Sequence, residues 1–215
     1  MKIFHHPSAT MLNNQYWKSI QRFVEVEKRN FSLLFYAFII GIFAGTVGSL
    51  FRLVLMHLDD MRHALYHHQG ESVVLNDLLI IGCTVAFVLA AIYLVRRFAP
   101  ETAGSGVQEI EGALDGSREI RWKRVIPVKF FASMFSLGSG MLLGREGPTI
   151  QLGAGIGKMV KEVFHQPDGM ANSLISSGAA AGLATAFNAP LSGIVFVIEE
   201  LHDHFRFSFF RWRPL

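Results

Sequence analysis

The chain has 215 residues, of which 51% are hydrophobic and 17% are charged, and its mean hydropathy is +0.34. Soluble domains carry about 25% charged residues, so this composition favours several membrane helices over one soluble domain. The net charge of +3 gives no sign of a nucleic-acid partner, and the single Cys83 excludes an intrachain disulfide. The N-terminal region is polar and lacks the apolar core of a secretory signal.

The first predicted element is an amphipathic helix over Asn14–Arg29. Trp17, Ile20 and Val24 share one face of this helix, and its charged residues lie elsewhere. Such a pattern suits a helix that lies on a membrane surface. We therefore interpret residues 1–30 as a cytoplasmic N-terminal amphipathic segment.

Two long, mainly apolar stretches follow, Phe31–Leu58 and Leu78–Val95, with a predicted polar loop at Asp59–Asn76 between them. Each stretch is long enough to cross a bilayer, which takes about 20 residues. The first contains small residues that permit close helix contact: Gly41, Gly45 and Gly48. Lysines and arginines precede the first span and follow the second, whereas the loop holds only Arg62. The positive-inside tendency therefore places the N-terminus in the cytoplasm.

Beyond residue 100 the apolar segments become short and are interrupted by glycine, proline or charge. They are Val107–Leu114, Val125–Leu143, Thr149–Phe164, Leu174–Phe187 and Leu191–Leu201. Several are too short to span a bilayer upright, which is typical of discontinuous helices that meet at a site near the midplane. The sequence therefore predicts an all-α integral membrane protein with tilted and discontinuous helices.

Two of the interruptions carry motifs suited to an anion. Gly104-Ser105-Gly106 precedes one short segment, and Ser105 there can serve as an N-cap or offer its hydroxyl to an ion. The run Gly144–Pro148 precedes another, with Pro148 suited to a first-turn position. A helix start has unpaired N–H groups and a positive dipole end, which together attract anions. Each motif alone is equally consistent with a capped loop, but the two together favour anion binding.

The second motif also holds a charged pair, Arg145 and Glu146, which costs roughly 2.5–3.5 kcal/mol per charge in a membrane helix and usually marks an ion pathway. An ionised Glu146 can occupy the anion's place beside the helix start and can leave it when protonated. This carboxylate would therefore act as a gate and as a proton carrier. For Arg145 we favour structural bonds to loop carbonyls over direct contact with the ion, because an exposed guanidinium would release an anion slowly.

A second acidic pair, Glu199 and Glu200, ends the last apolar segment. Both can be helix-end carboxylates at the cytoplasmic interface, or one can be an internal proton acceptor. Neighbouring helical residues point about 100° apart, so at most one of them faces the interior. Both interpretations stay open at this point.

Two further patterns are weaker. The run Gly153–Met159 lacks residues that nucleotide loops require, and helix packing through small residues explains it better. Histidines recur near the outer loop, where a solvated loop is favoured over a metal site: His57, His63, His67 and His68. We expect no metal, no cofactor and no enzymatic activity, and a soluble enzyme is disfavoured by the apolar spans.

Three ordered motifs make the chain resemble the CLC family of chloride channels and chloride/proton exchangers. The motifs are Gly104–Glu109, Gly144–Gln151 and Gly178–Glu200. Gln108 stands where many members of that family have proline. The resemblance implies a chloride site made by Gly104, Ser105, Gly106, Arg145, Glu146 and Gly147. It also implies that Glu146 is the gating and proton-carrying glutamate and that Glu200 is the internal proton acceptor, which favours exchange over passive conduction.

The resemblance covers only the first of two inverted repeats. Residues 31–207 match the N-terminal half of the membrane domain, whereas the tail 208–215 diverges and suggests a truncated product. We therefore expect chloride/proton antiport in the bacterial inner (plasma) membrane, with this chain supplying only the first half. The expected partners are chloride, protons, the lipid bilayer and, for a full-length protomer, a second copy. The alternative is a non-transporting fragment that packs with, or interferes with, a full-length partner.

Overall fold

The computed structural model describes residues 9–67 and 73–201, and these residues form helices without a single strand. The α-helices in chain order are α1 Ala9–His67, α2 Val73–Phe98, α3 Val107–Leu114, α4 Trp122–Gly138, α5 Glu146–Val163, α6 Ala171–Phe187 and α7 Pro190–Phe196. Short 3-10 turns occupy Pro100–Thr102 and Asp168–Met170, and a π-helical turn at Val197–Leu201 extends α7.

Helix α1 runs without a break through the predicted surface helix, the first span and most of the predicted loop. The prediction of a polar loop over Asp59–Asn76 is therefore wrong as far as His67, and α2 begins at Val73, five residues before the predicted start of the second span. Polarity did not end the helix, because the helical segment after Leu58 contains no Gly or Pro and includes the good helix formers Met61, Arg62 and Ala64. The Asp59–Arg62 ion pair, 2.9 Å between Oδ1 and Nη2, spans one helical turn there.

Within residues 9–67 and 73–201, two helices are long and apolar enough to cross a membrane, as predicted. The candidate spans are Phe31–Ala64 and Asp77–Phe98, whose most apolar 18-residue windows have mean hydropathies of 2.1 and 2.8. Large apolar side chains remain exposed along both, such as Leu34 on α1 and Leu89 on α2. Outward apolar faces of this kind suit contact with lipid rather than water.

The centre of the molecule is the crossing of α5 and α6, where glycines let the two backbones touch. A Cβ atom added to Gly153 would lie 2.0 Å from the carbonyl oxygen of Gly178, and one added to Gly157 would lie 2.2 Å from that of Leu174. Close approach through small residues is a common way for membrane helices to associate. The interpretation of Gly153–Met159 as a packing motif is confirmed.

Helix α1 packs against both α5 and α6. Of its three predicted contact glycines, only Gly48 meets a partner closely, since a Cβ there would lie 2.1 Å from Thr185 Oγ1. Gly41 and Gly45 face open space. Helix α4 packs between α2 and α5 and brings its middle turn against the loop that precedes α3.

Candidate functional site

The start of α3 is set by a glycine in a left-handed conformation. Gly106 is the N-cap residue with φ +87°, a conformation that costs little only for glycine. The N-cap role considered for Ser105 is therefore wrong by one position. The Ser105 Oγ accepts a long hydrogen bond of 3.4 Å from the Val107 N–H, so its hydroxyl proton stays free to donate elsewhere.

The start of α5 matches the sequence expectation. The helix begins at Glu146, and Pro148 is buried in its first turn, as predicted. The Thr149 hydroxyl donates to the Arg145 carbonyl at 3.1 Å or to the Glu146 carbonyl at 2.9 Å, which fixes the turn. The N–H groups of Glu146 and Gly147 belong to the helix start and have no intrahelical acceptor.

The two helix starts touch each other. A Cβ atom added to Gly147 would lie 2.6 Å from the Ser105 carbonyl oxygen and 2.9 Å from the Ser105 Cα. No other residue type would allow this approach without moving one of the loops. The glycine of the second motif therefore has a packing reason that involves the first motif.

A cavity of about 460 Å³ opens where the two starts converge. Its polar lining consists of Thr102, Gly104, Ser105, Lys129, Ser133, Ser136, Gly144, Glu146 and Gly147. The Glu146 side chain is half-buried and folds back over Gly144, where a Cβ would lie 2.2 Å from Glu146 Oε2. Four of the predicted chloride-site residues thus share one cavity: Gly104, Ser105, Glu146 and Gly147.

Lys129, a residue that the sequence analysis missed, supplies a cation to this cavity. Its side chain is 2% exposed, and its Nζ donates to the carbonyls of Gly104 at 2.8 Å, Thr102 at 3.0 Å and Ser105 at 3.5 Å. The signal was available, because a lone lysine within an apolar segment is as costly as the charged pair that was singled out. Lys129 holds the first motif and adds positive charge behind it.

The two remaining predicted chloride-site residues lie outside the cavity lining. Gly106 is buried beneath the loop, in contact with Gln151. The Arg145 side chain is exposed and makes no hydrogen bond or ion pair with any described residue, so the predicted bonds from its guanidinium to loop carbonyls are not found in this part of the chain. Its backbone carbonyl accepts bonds instead, and the cation that binds loop carbonyls is Lys129.

The structure does not bring the predicted proton acceptor to the same place. Glu199 and Glu200 are both exposed on the π-helical turn and do not line this cavity. The histidines near the outer loop are also dispersed. His57 and His63 lie exposed on α1, the His67 side chain is not described, and His68 lies outside the described residues, as does the tail 208–215.

The electrostatics of the cavity favour an anion. The start of α5 presents unpaired N–H groups at its positive dipole end, Ser105 has a free hydroxyl proton, and Lys129 adds a positive charge. Glu146 supplies the single carboxylate of the lining. A bound anion and the ionised carboxylate would compete for the same donors, because both are acceptors only.

Comparison with known proteins agrees with the resemblance inferred from the motifs. Residues 85–212 match the family model described as voltage gated chloride channel. The chain is 47% identical over 191 residues to the H(+)/Cl(-) exchange transporter ClcA of Vibrio parahaemolyticus serotype O3:K6, covering 88% of this chain and 41% of that protein. It is 49% identical over 180 residues to ClcA of Vibrio campbellii, covering 83% and 38%. The chain therefore spans about two fifths of the length of these relatives.

Solved structures of two antiporters superpose on this chain. A slow cyanobacterial Cl-/H+ antiporter superposes with a TM-score of 0.77 at 39% identity, covering 82% of this chain and 41% of the antiporter. A CLC-type fluoride/proton antiporter superposes with a TM-score of 0.66 at 24% identity, which shows a shared fold only. The predicted CLC-like, all-α fold is confirmed.

Proposed function

Because this chain belongs to the voltage-gated chloride channel family, we propose that it supplies the first half of a transmembrane pathway that exchanges chloride for protons. The observation that carries the proposal is the single cavity in which the Ser105 loop and the start of α5 meet beside Lys129. The names of the relatives support both transported ions, since they are described as H(+)/Cl(-) exchange transporters. The relatives extend well beyond the matched length, so the complete pathway needs structure that this chain does not contain.

In the proposed binding step, chloride accepts hydrogen bonds from the Ser105 hydroxyl and from the free N–H groups at the start of α5. Lys129 does not bind the ion directly, because its Nζ is already engaged with three carbonyls. Its charge lowers the energy of an anion nearby without a tight contact that would slow release. Arg145 contributes its backbone rather than its exposed guanidinium.

In the proposed gating step, the Glu146 carboxylate competes with chloride. When ionised, it occupies the positive end of α5; when protonated, it loses its charge and leaves the donors to chloride. One side chain thereby links a proton to the exit or entry of an anion. Glu200 is proposed as the cytoplasmic proton acceptor on the strength of the motif alone. The proposed location is the bacterial inner membrane, with the N-terminus in the cytoplasm. The support for this orientation is that lysines and arginines precede the first span and follow the second, as the positive-inside tendency requires.

The pH dependence of chloride binding tests this step. Calorimetric titration of the detergent-solubilised chain with chloride should show affinity that rises as the pH falls, because protonation removes the competing carboxylate. Glu146→Gln should hold the affinity at the acidic level at every pH. The matched control is Glu162→Gln, which changes an exposed carboxylate at the opposite end of the same helix and should leave the pH dependence intact. A pH dependence that survives Glu146→Gln unchanged would refute the proposed gate.

A second candidate function rests on a different feature. A groove of about 960 Å³ lies between α1 and the α6–α7 hairpin, and Arg52 lines it without an ion-pair partner among the described residues. An exposed apolar groove of this size beside an unpaired cation suits a fragment that packs with a full-length partner in the membrane. Chloride flux through liposomes that contain only this chain would exclude a purely non-transporting role. Chloride binding without flux would favour it.

A further inference from the structure

A small cavity lies beside the turn that leads into the loop carrying Ser105, and it shares no lining residue with the cavity of about 460 Å³. Its volume is about 10 Å³, and its polar lining consists of Glu101, Glu109, Glu119 and Gln151. A cavity needs roughly 10–15 Å³ and two or more polar partners to hold one water molecule. The size of this cavity is therefore that of one water.

The amide of Gln151 is oriented by the backbone of a neighbouring turn. Its Nε2 donates to the Glu101 carbonyl at 3.0 Å, and a carbonyl can only accept, so the amide oxygen must be the other atom. The Gln151 Oε1 atom is buried and accepts no hydrogen bond from any described residue, and the whole residue is only 3% exposed. A buried amide oxygen without a donor is costly and rare in folded proteins.

The Glu101 carboxylate has the same need. Both of its oxygens are inaccessible, and neither has a hydrogen-bond partner with suitable geometry in the described part of the chain. Arg121 Nε lies 3.0 Å from Glu101 Oε1, which balances the charge without satisfying the oxygens as acceptors. Across the cavity, Glu109 is paired with Arg118, and Glu119 is exposed.

Only acceptors thus face this small space, so its occupant must be a donor. We propose that the cavity binds one water molecule, which donates one hydrogen to Gln151 Oε1 and the other to the Glu101 carboxylate. Water fits because it is neutral, has two donors and matches the volume. Chloride is excluded, since it would meet acceptors alone.

The position of this water gives it a structural role at the transport site. Gln151 lies directly against Gly106, where a Cβ would be 2.5 Å from Gln151 Oε1. Glu101 belongs to the 3-10 turn that leads into Gly104. The water would therefore join α5 to both ends of the loop that carries Ser105. Gln151 and Glu101 become positioning residues for that loop, whether or not the chain transports chloride.

Water-edited solid-state NMR on the chain in liposomes tests the proposal, with carbon-13 labels on glutamine, glutamate and isoleucine. Magnetisation from water should reach the side-chain carbonyl carbons of Gln151 and Glu101 several-fold faster than the side chain of buried Ile156. Equal, slow transfer at all three sites would overturn the proposal. This wild-type measurement stands even if a variant fails to fold.

Two further arms identify the occupant. Gln151→Met removes one acceptor and should slow water transfer to Glu101 several-fold, whereas Gln166→Met, in the loop after α5, should leave it unchanged. Replacing choline chloride with sodium chloride should not move the Glu101 carboxylate signal. A sodium-dependent shift would mean that a cation occupies the cavity, and the proposed water would be wrong.

Discussion

Glycines are frequent in two regions of this molecule and serve different purposes in them. In α5 and α6 they face a neighbouring backbone at distances that leave no room for a side chain, as at Gly153 and Gly178. In the spans of α1 and α2 most of them face open space, as at Gly45 and Gly82. A glycine in an apolar helix therefore makes a close backbone contact in one region and packs against nothing in the other.

The two regions therefore differ in how closely their backbone positions must be kept. The long helices α1 and α2 keep large apolar side chains outward and can tolerate small shifts. Helices α5 and α6 place backbone groups against one another, and the start of α5 does the same with the Ser105 loop. The proposed anion site uses backbone groups of that helix start, so it would depend on the same close packing.

The largest expected effect comes from adding one methyl group at the crossing of α5 and α6. Gly153→Ala would place a Cβ 2.0 Å from the Gly178 carbonyl oxygen, and two backbones would have to separate. We expect a loss of about 3 kcal/mol in the free energy of unfolding, at the upper end of overpacking costs. Reversible unfolding in mixed detergent micelles, followed by circular dichroism, measures this loss.

Gly45→Ala is the matched control, because a Cβ at this position meets nothing within 4 Å. Alanine is the better helix former, so stability should stay the same or rise by up to about 1 kcal/mol. Equal losses at Gly153 and Gly45 would contradict the difference between contacting and non-contacting glycines, because helix propensity alone would raise the stability of both variants.

Sequence patterns predicted the continuous elements of this fold better than their ends. Both spans and every broken segment after residue 100 could be found from apolar runs and their interruptions. The helical stretch after Asp59 could not, because polarity resembles a loop while local propensity continues the helix. Which glycines make contacts was also out of reach, since Gly41 and Gly48 are alike in sequence and differ only in what packs against them.

The second prediction concerns Lys129, the cation that binds carbonyls of the loop before α3. Lys129→Met keeps the length of the side chain and removes the donor to three carbonyls. We expect the free energy of unfolding to fall by about 1.5–3 kcal/mol, as for the loss of hydrogen bonds to a charged group. Chloride affinity should fall with it, because a positive charge leaves the cavity. Unfolding and chloride titration of the same sample separate these two results.

Lys123→Met, near the start of the same helix, is the control. The Lys123 Nζ lies 5.6 Å from the centre of the Trp122 ring and is exposed, so this variant should lose at most about 1 kcal/mol. Its chloride affinity should be unchanged. A chloride affinity that is insensitive to Lys129→Met would show that the helix starts alone hold the anion.

The site shows the limit of sequence reasoning more clearly than the fold does. Motifs with glycine and a charged pair predicted Ser105 and Glu146, and the structure places both on one cavity. Lys129 belongs to no motif, and the only sequence signal for it was the cost of a lone lysine inside an apolar segment. The exact partner of each loop was also unpredictable, since the contact between Gly147 and Ser105 joins residues far apart in the chain.

The smallest expected effect lies outside both regions, in the turn between α5 and α6. The Lys161 ammonium donates a hydrogen bond to Asp168 Oδ1 at 2.5 Å and lowers the pKa of this carboxyl below its usual range. A carboxyl with a lowered pKa stabilises the folded state above its ordinary pKa of about 3.9, and this contribution is lost as the pH falls through the lowered value. Asp168→Asn should therefore lower the Tm by about 1–2 °C at neutral pH and not at all in strongly acidic buffer.

The control for this prediction is Asp115→Asn, which removes an exposed carboxylate without an ion-pair partner among the described residues and should leave the Tm unchanged at neutral pH. High salt should also erase the effect at Asp168, because exposed charges are screened within a few ångströms at molar ionic strength. A Tm difference for Asp168→Asn that persists in acid or in high salt would mean that the side chain orders the turn by its shape. The fit of one side chain would then matter in this turn, as it does at the crossing of α5 and α6.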